Sequence, residues 1–183
     1  MPITQKQTVK RKKVGSYFEN MPFTKRHLFV GSVLFVTFVI EAWELMIIIF
    51  VAGDIGTDFN LTSLQVRSII GATALGMIPG AYLWGLVTDK IGRKNTMIYS
   101  YLLFGILSLI GAFSLNFVML YILRILAGVA ISGALVACFP YFEELLPVKT
   151  RGKAAVYLSG GWPLGTLLAI GVTALLSHMG GFW

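Results

Sequence analysis

LFVGSVLFVTFVIEAWELMIIIFVAG, residues 28–53, contains only two ionisable side chains, Glu41 and Glu44. About 20 predominantly apolar residues suffice for a helix to cross the hydrocarbon core of a bilayer, and this run is longer than that. It lacks the period-2 alternation of a membrane barrel strand. In lipid, each backbone N–H and C=O must find its partner inside the segment, so the run is expected to be a membrane-spanning helix. A secretory signal peptide is a poor reading. The apolar stretch is too long, it carries two glutamates, and no clear small-residue cleavage site follows.

Four more runs of the same kind follow: 68–87, about 96–114, 117 to about 142, and 154–177. The expected fold class is therefore all-α, a polytopic membrane helix bundle of five spans (28–183) behind a basic segment, residues 1–27. Composition agrees. The 183 residues are 56% hydrophobic and 13% charged, with a mean hydropathy of +0.79, whereas soluble domains carry about 25% charged residues. That excludes a disordered chain, a disulfide scaffold and an ordinary soluble enzyme. The single cysteine, Cys138, fits no intrachain disulfide, zinc or redox spacing.

The net charge of +7 would suggest nucleic acid only if the bases covered a soluble surface. Instead they sit in three short blocks between apolar runs. Lys6, Lys10, Arg11, Lys12, Lys13, Lys25 and Arg26 precede the first span. Lys90, Arg93 and Lys94 follow the second, and Lys149, Arg151 and Lys153 follow the fourth. These are 13 of the 15 basic residues, all on one side, while Arg67, Asp54 and Asp58 lie opposite. The positive-inside rule places the N-terminus in the cytoplasm, most simply of a cell or plasma membrane. Five spans then leave the C-terminus outside. The Lys10–Lys13 run serves topology, with contact to anionic headgroups as the alternative. Thr62 and Gln65 have the spacing of a capping box, which explains Thr62 better than the glycosylation sequon Asn60-Leu61-Thr62 does.

The informative residues are the charges inside the spans. Glu41 lies near the middle of the first, and Glu44, three positions on, shares its helix face. Arg124 lies roughly 12 Å into the fourth span and Glu44 roughly 15 Å from the same side, at 1.5 Å per residue. An Arg124–Glu44 pair is thus possible if the helices are neighbours. A central charge in lipid costs roughly 3 kcal/mol, so all three should face a bundle interior or a wet cavity. They are candidates for binding substrate and protons. The alternative is a static ion pair that only fixes packing. His27 and His178, at span ends, suit interfacial roles.

Small residues mark helix–helix faces, where backbones approach closely. Gly76, Gly80, Gly128, Gly133, Gly161 and Gly165 are the candidates here. Pro79 and Pro163 imply kinks that neighbouring groups can relieve. No His-rich metal cluster, nucleophile elbow or phosphate loop occurs. Hence no enzyme, cofactor or metal is expected.

The turn after the second span reads Gly85-Leu86-Val87-Thr88-Asp89-Lys90-Ile91-Gly92-Arg93-Lys94. It resembles the signature of the major facilitator superfamily: glycine, three residues, aspartate, base, any residue, glycine, arginine, base. A merely basic turn would not require Gly85, Asp89 and Gly92 together. Arg124-Ile125-Leu126-Ala127-Gly128, followed by Gly133, is similar to the family's fourth-helix arginine–glycine motif. Glu144, Pro147, Arg151 and Gly152 resemble the loop motif after the fourth helix in its sugar-porter and metabolite:proton branches. The Glu41-Ala42-Trp43-Glu44 spacing resembles the paired first-helix acids of organic acid:proton symporters, which usually carry aspartates.

The resemblance implies that the first and fourth helices line a substrate cavity holding Glu41, Glu44 and Arg124. It also implies that Asp89 belongs to a cytoplasmic gate against the other half of the molecule. Family members have about twelve helices in two halves, and Gly180-Gly181-Phe182-Trp183 resembles the turn into a sixth. The expectation is the N-terminal part of a secondary active transporter, with its missing C-terminal helices, the lipid bilayer, protons and a small-molecule substrate as partners. Proton symport of a small organic acid by alternating access leads. A sugar porter, or a non-transporting short form associated with a full-length relative, are the alternatives.

Overall fold

The computed structural model describes residues 24–178. The bases Lys6 to Lys13 and the turn Gly180 to Trp183 lie outside the described residues. Those described form helices: α1 (Lys25–Asp58), α2 (Ser63–Ile91), α3 (Arg93–Gly111), α4 (Phe117–Leu145), a 3-10 turn (Val148–Thr150), α5 (Arg151–Ser159) and α6 (Gly161–His178). Four stretches are long and apolar enough to cross a membrane: α1, α2, α4 and the run Val148–His178. The expected third span corresponds to α3, which has 19 residues and opens with Arg93-Lys94-Asn95, too polar a start to join those four.

The caps explain where the helices begin. Thr62 and Gln65 form the expected capping box: the Thr62 N–H donates to Gln65 Oε1 at 2.9 Å and the Gln65 N–H to Thr62 Oγ1 at 3.4 Å. This starts α2 at Ser63, five residues before the apolar run. The Met119 N–H donates to Asn116 Oδ1 at 2.9 Å, which fixes the start of α4. Thr24 donates its N–H to His27 Nδ1 at 3.0 Å, placing His27 in the first turn of α1, while His178 ends α6.

The fifth expected span is divided. α5 ends at Ser159 with Gly160 as its cap, and α6 restarts at Gly161, so the interruption precedes Pro163. As the third residue of α6, Pro163 lies where a missing N–H leaves no intrahelical bond unmade. Pro79, by contrast, lies inside an unbroken α2.

Packing is heaviest between α2 and α4, α3 and α4, and α1 and α6. Glycines make it possible. A Cβ at Gly76 would strike the Ile125 carbonyl of α4, one at Gly128 the Thr73 carbonyl of α2, and one at Gly80 the Ser132 hydroxyl. Gly133 lies under the Trp84 ring, and Gly165 sits against the Val39 carbonyl and Ala42 of α1, with Gly161 against Phe38. Two hydrogen bonds clasp α4 from either side. Trp84 Nε1 of α2 donates to the Val129 carbonyl at 2.8 Å, and Ser100 Oγ of α3 to the Ala130 carbonyl at 2.5 Å.

The exterior is oily and part of the interior polar. Leu75, Ile78, Leu102, Ile106, Leu109 and Leu167 are exposed, whereas Glu41, Thr73, Thr96, Ser100 and Ser132 are buried. Water-facing surfaces do not carry apolar belts of this extent, and a bilayer accounts for them. One apolar cluster (Leu34, Met97, Cys138, Phe142, Leu158) fills the end near the basic loops, and another (Ile48, Val51, Ile55, Ile69, Leu120) fills the opposite end. Along α1, Glu41 and Glu44 fall between Leu34 and Ile48, in the gap separating the two.

Candidate functional site

The gap is where α1, α3 and α4 exchange polar contacts. Arg124 Nη1 of α4 lies 3.9 Å from Glu44 Oε2, with the two side chains 22% and 30% exposed. Ser108 Oγ of α3 donates to both carboxylate oxygens of Glu44, at 3.2 and 3.3 Å. Equal depth was legible from residue counts, and the helices do meet there. At this length, and with partial exposure, the pair is open to competition from a charged ligand. An unpaired charge facing lipid would be worse by roughly 3 kcal/mol.

Glu41 lies apart from Arg124. It is buried, and Tyr101 of α3 donates its hydroxyl to Glu41 Oε2 at 3.3 Å. Its Oε1 has no hydrogen-bond partner among the described residues. The three charges expected around one cavity thus divide into a half-open pair, Glu44 with Arg124, and a sealed carboxyl, Glu41. The i, i+3 spacing on α1 turns both acids towards α3, whose Tyr101 and Ser108 are two turns apart on one face. Neither hydroxyl was singled out from the sequence, because a lone Tyr or Ser in an apolar run carries no signal of its own.

A second polar cluster lies at the basic end. α2 passes into α3 through Gly92 alone, at φ +82°, a left-handed conformation that glycine adopts without the penalty a Cβ brings. The link sets Arg93 against the end of α4, where its Nη2 lies 2.9 Å from Glu144 Oε1. The two loop motifs are therefore joined by an ion pair. In the second loop, Pro147 precedes the 3-10 turn and Arg151 Nε donates to the Leu146 carbonyl at 3.3 Å. Asp89, Lys90 and Lys94 are exposed and make no ion pair among the described residues. A Cβ at Gly85 or Gly152 would meet nothing within 4 Å, so nothing described in this chain requires glycine there. No group of three potential metal ligands occurs among the described residues.

A helical bundle with apolar flanks, charges held between helices, and two basic loops tied by one ion pair defines a multi-pass membrane protein. The chain belongs to the Major Facilitator Superfamily, whose family model matches residues 34–183. It is 32% identical to organic cation/carnitine transporter 7 of Arabidopsis thaliana over 89% of this chain and 33% of that protein. It is 33% identical to a putative metabolite transport protein of Haemophilus influenzae over 76% of this chain and 35% of that one. With the 3-(3-hydroxy-phenyl)propionate transporter of Escherichia coli it shares 32% identity, over 80% and 36% respectively. The chain spans about a third of the length of the curated relatives it matches.

Proposed function

We propose that this chain works within a secondary active transporter that carries a small organic acid together with protons by alternating access. The observation that carries the reading is the Glu44–Arg124 pair, stretched to 3.9 Å, in a gap between α1, α3 and α4 where Ser108 donates to the same carboxylate. A substrate carboxylate would compete with Glu44 for the guanidinium of Arg124. Glu44, released, or Glu41 beside it, would then hold a proton. Coupling follows if substrate and proton each change the affinity for the other through that shared arginine.

The relatives' names support a charged or polar small molecule without agreeing on its sign. One names an organic cation or carnitine, another a propionate. A site containing one arginine beside one glutamate has a counter-charge for either, and the guanidinium's planar fork suits a carboxylate best. The Arg93–Glu144 pair would serve the cytoplasmic gate, with Asp89 facing the other half of the transporter.

The test is uptake by the full-length transporter that carries this segment, driven by an inward proton gradient. Arg124→Gln is expected to abolish uptake. Glu41→Gln and Glu44→Gln, tested separately, are expected to show at least one loss of proton drive with substrate exchange retained. Unchanged coupling in both glutamine variants overturns the proton role, and normal uptake in Arg124→Gln overturns the site.

A further inference from the structure

A cavity of about 340 Å³ opens at the basic end of the bundle, with Leu28, Phe142, Leu146, Lys153 and Ala154 among its lining residues. It lies well away from the Glu44–Arg124 pair, between the start of α1, the end of α4 and the start of α5. Its volume falls in the range of small-molecule sites, about 300–1,000 Å³. Two kinds of surface meet in it. Leu28, Phe142, Leu146 and Ala154 give an apolar wall. Lys153 gives a cation at the rim, exposed and in no ion pair among the described residues.

The same end also carries Lys25, Arg26 and Lys149, all exposed. Glu144, the exposed acid of the adjoining loop, is engaged by Arg93. A ligand suited to both surfaces has an apolar tail and an anionic head. We infer that this cavity binds an anionic phospholipid of the adjacent leaflet, with an acyl chain along Leu28, Phe142 and Ala154 and its phosphate at Lys153. Charge argues against the chain's own residues 1–23 as the occupant. That segment has five basic residues and one acid, Glu19, so a cationic rim repels it and both would favour the same anionic head.

The test is native mass spectrometry of the whole chain in detergent, with phosphatidylglycerol and phosphatidylcholine of identical acyl chains added in turn, and glycerol phosphate as a head-only probe. Phosphatidylglycerol is expected to be retained in preference to phosphatidylcholine, and glycerol phosphate not at all. Lys153→Gln, at an exposed position, should cut that preference about fivefold, the share of one basic group at an anionic surface. Ala154→Leu, which fills the wall, should reduce retention of both lipids. No preference in the unaltered chain, retention unmoved by both variants, or a preference lost on deleting residues 1–23 but kept in Lys153→Gln would each overturn the assignment. Equal retention of glycerol phosphate would also overturn it, since the tail would then contribute nothing.

Discussion

At the residue scale, Glu44 and Arg124 show how far counting carries. Residue counts from either end of two apolar runs set them at similar depth, and the structure brings them to 3.9 Å. The same counts set Glu41 beside them, yet it turns to Tyr101. Depth along a helix is legible because the rise per residue is fixed. Azimuth relative to a neighbour depends on how the helices are rotated, which a sequence of nearly uniform apolarity does not encode. Tyr101 and Ser108 stayed hidden for the same reason. The pair's own contribution can be measured by a double-mutant cycle of Glu44→Gln and Arg124→Gln, read by thermal unfolding in detergent. A coupling on the order of 1 kcal/mol is expected for contacting, partly exposed charges. A value near zero would show that the two ions do not sense each other.

At the element scale, apolarity located the helical stretches, but the fifth expected span is two helices, α5 and α6, and the helix limits were set by features other than apolarity. α1 continues to Asp58, past the end of its apolar run, because backbone hydrogen bonding persists where the chain leaves the hydrocarbon. α2 starts early because Thr62 and Gln65 cap it. The division at Gly160 was not legible, since the prolines were the more conspicuous breakers. Glycine roles differ sharply between elements. Gly128→Val would drive a side chain into the Thr73 carbonyl, and overpacking of this kind costs about 1–3 kcal/mol. Gly85→Ala meets open space and should be neutral or slightly stabilising in the isolated chain, about 0.5–1 kcal/mol from helix propensity. Unfolding of both variants in the same detergent checks the contrast, and equal losses would contradict it.

At the scale of the whole molecule, the basic loops define one end of the bundle. Lys90, Lys94, Lys149 and Lys153 are exposed there, while Asp54, Asp58, Asn60 and Arg67 are exposed opposite. With Cys138 replaced by Ala, single cysteines at Lys94 and Lys149 should react with an impermeant maleimide only after cells are opened. One at Asn60 should react in intact cells. The reverse pattern would invert the orientation expected from charge. The Arg93–Glu144 contact was hidden at this scale. Each residue belonged to a recognisable loop, but only the fold shows that the loops touch.

The clasp on α4 has an implication for sequence drift. Trp84 and Ser100 fasten to the oxygens of Val129 and Ala130, which belong to the main chain and are present whatever amino acid occupies the position. Substitution at 129 and 130 is then limited by room alone, leaving little beyond a methyl at the fully enclosed Ala130. The burden of identity rests on the donors, where an indole and a hydroxyl have few equivalents. Related chains that keep the clasp should hold Trp84 and Ser100, stay small at position 130 and vary at position 129.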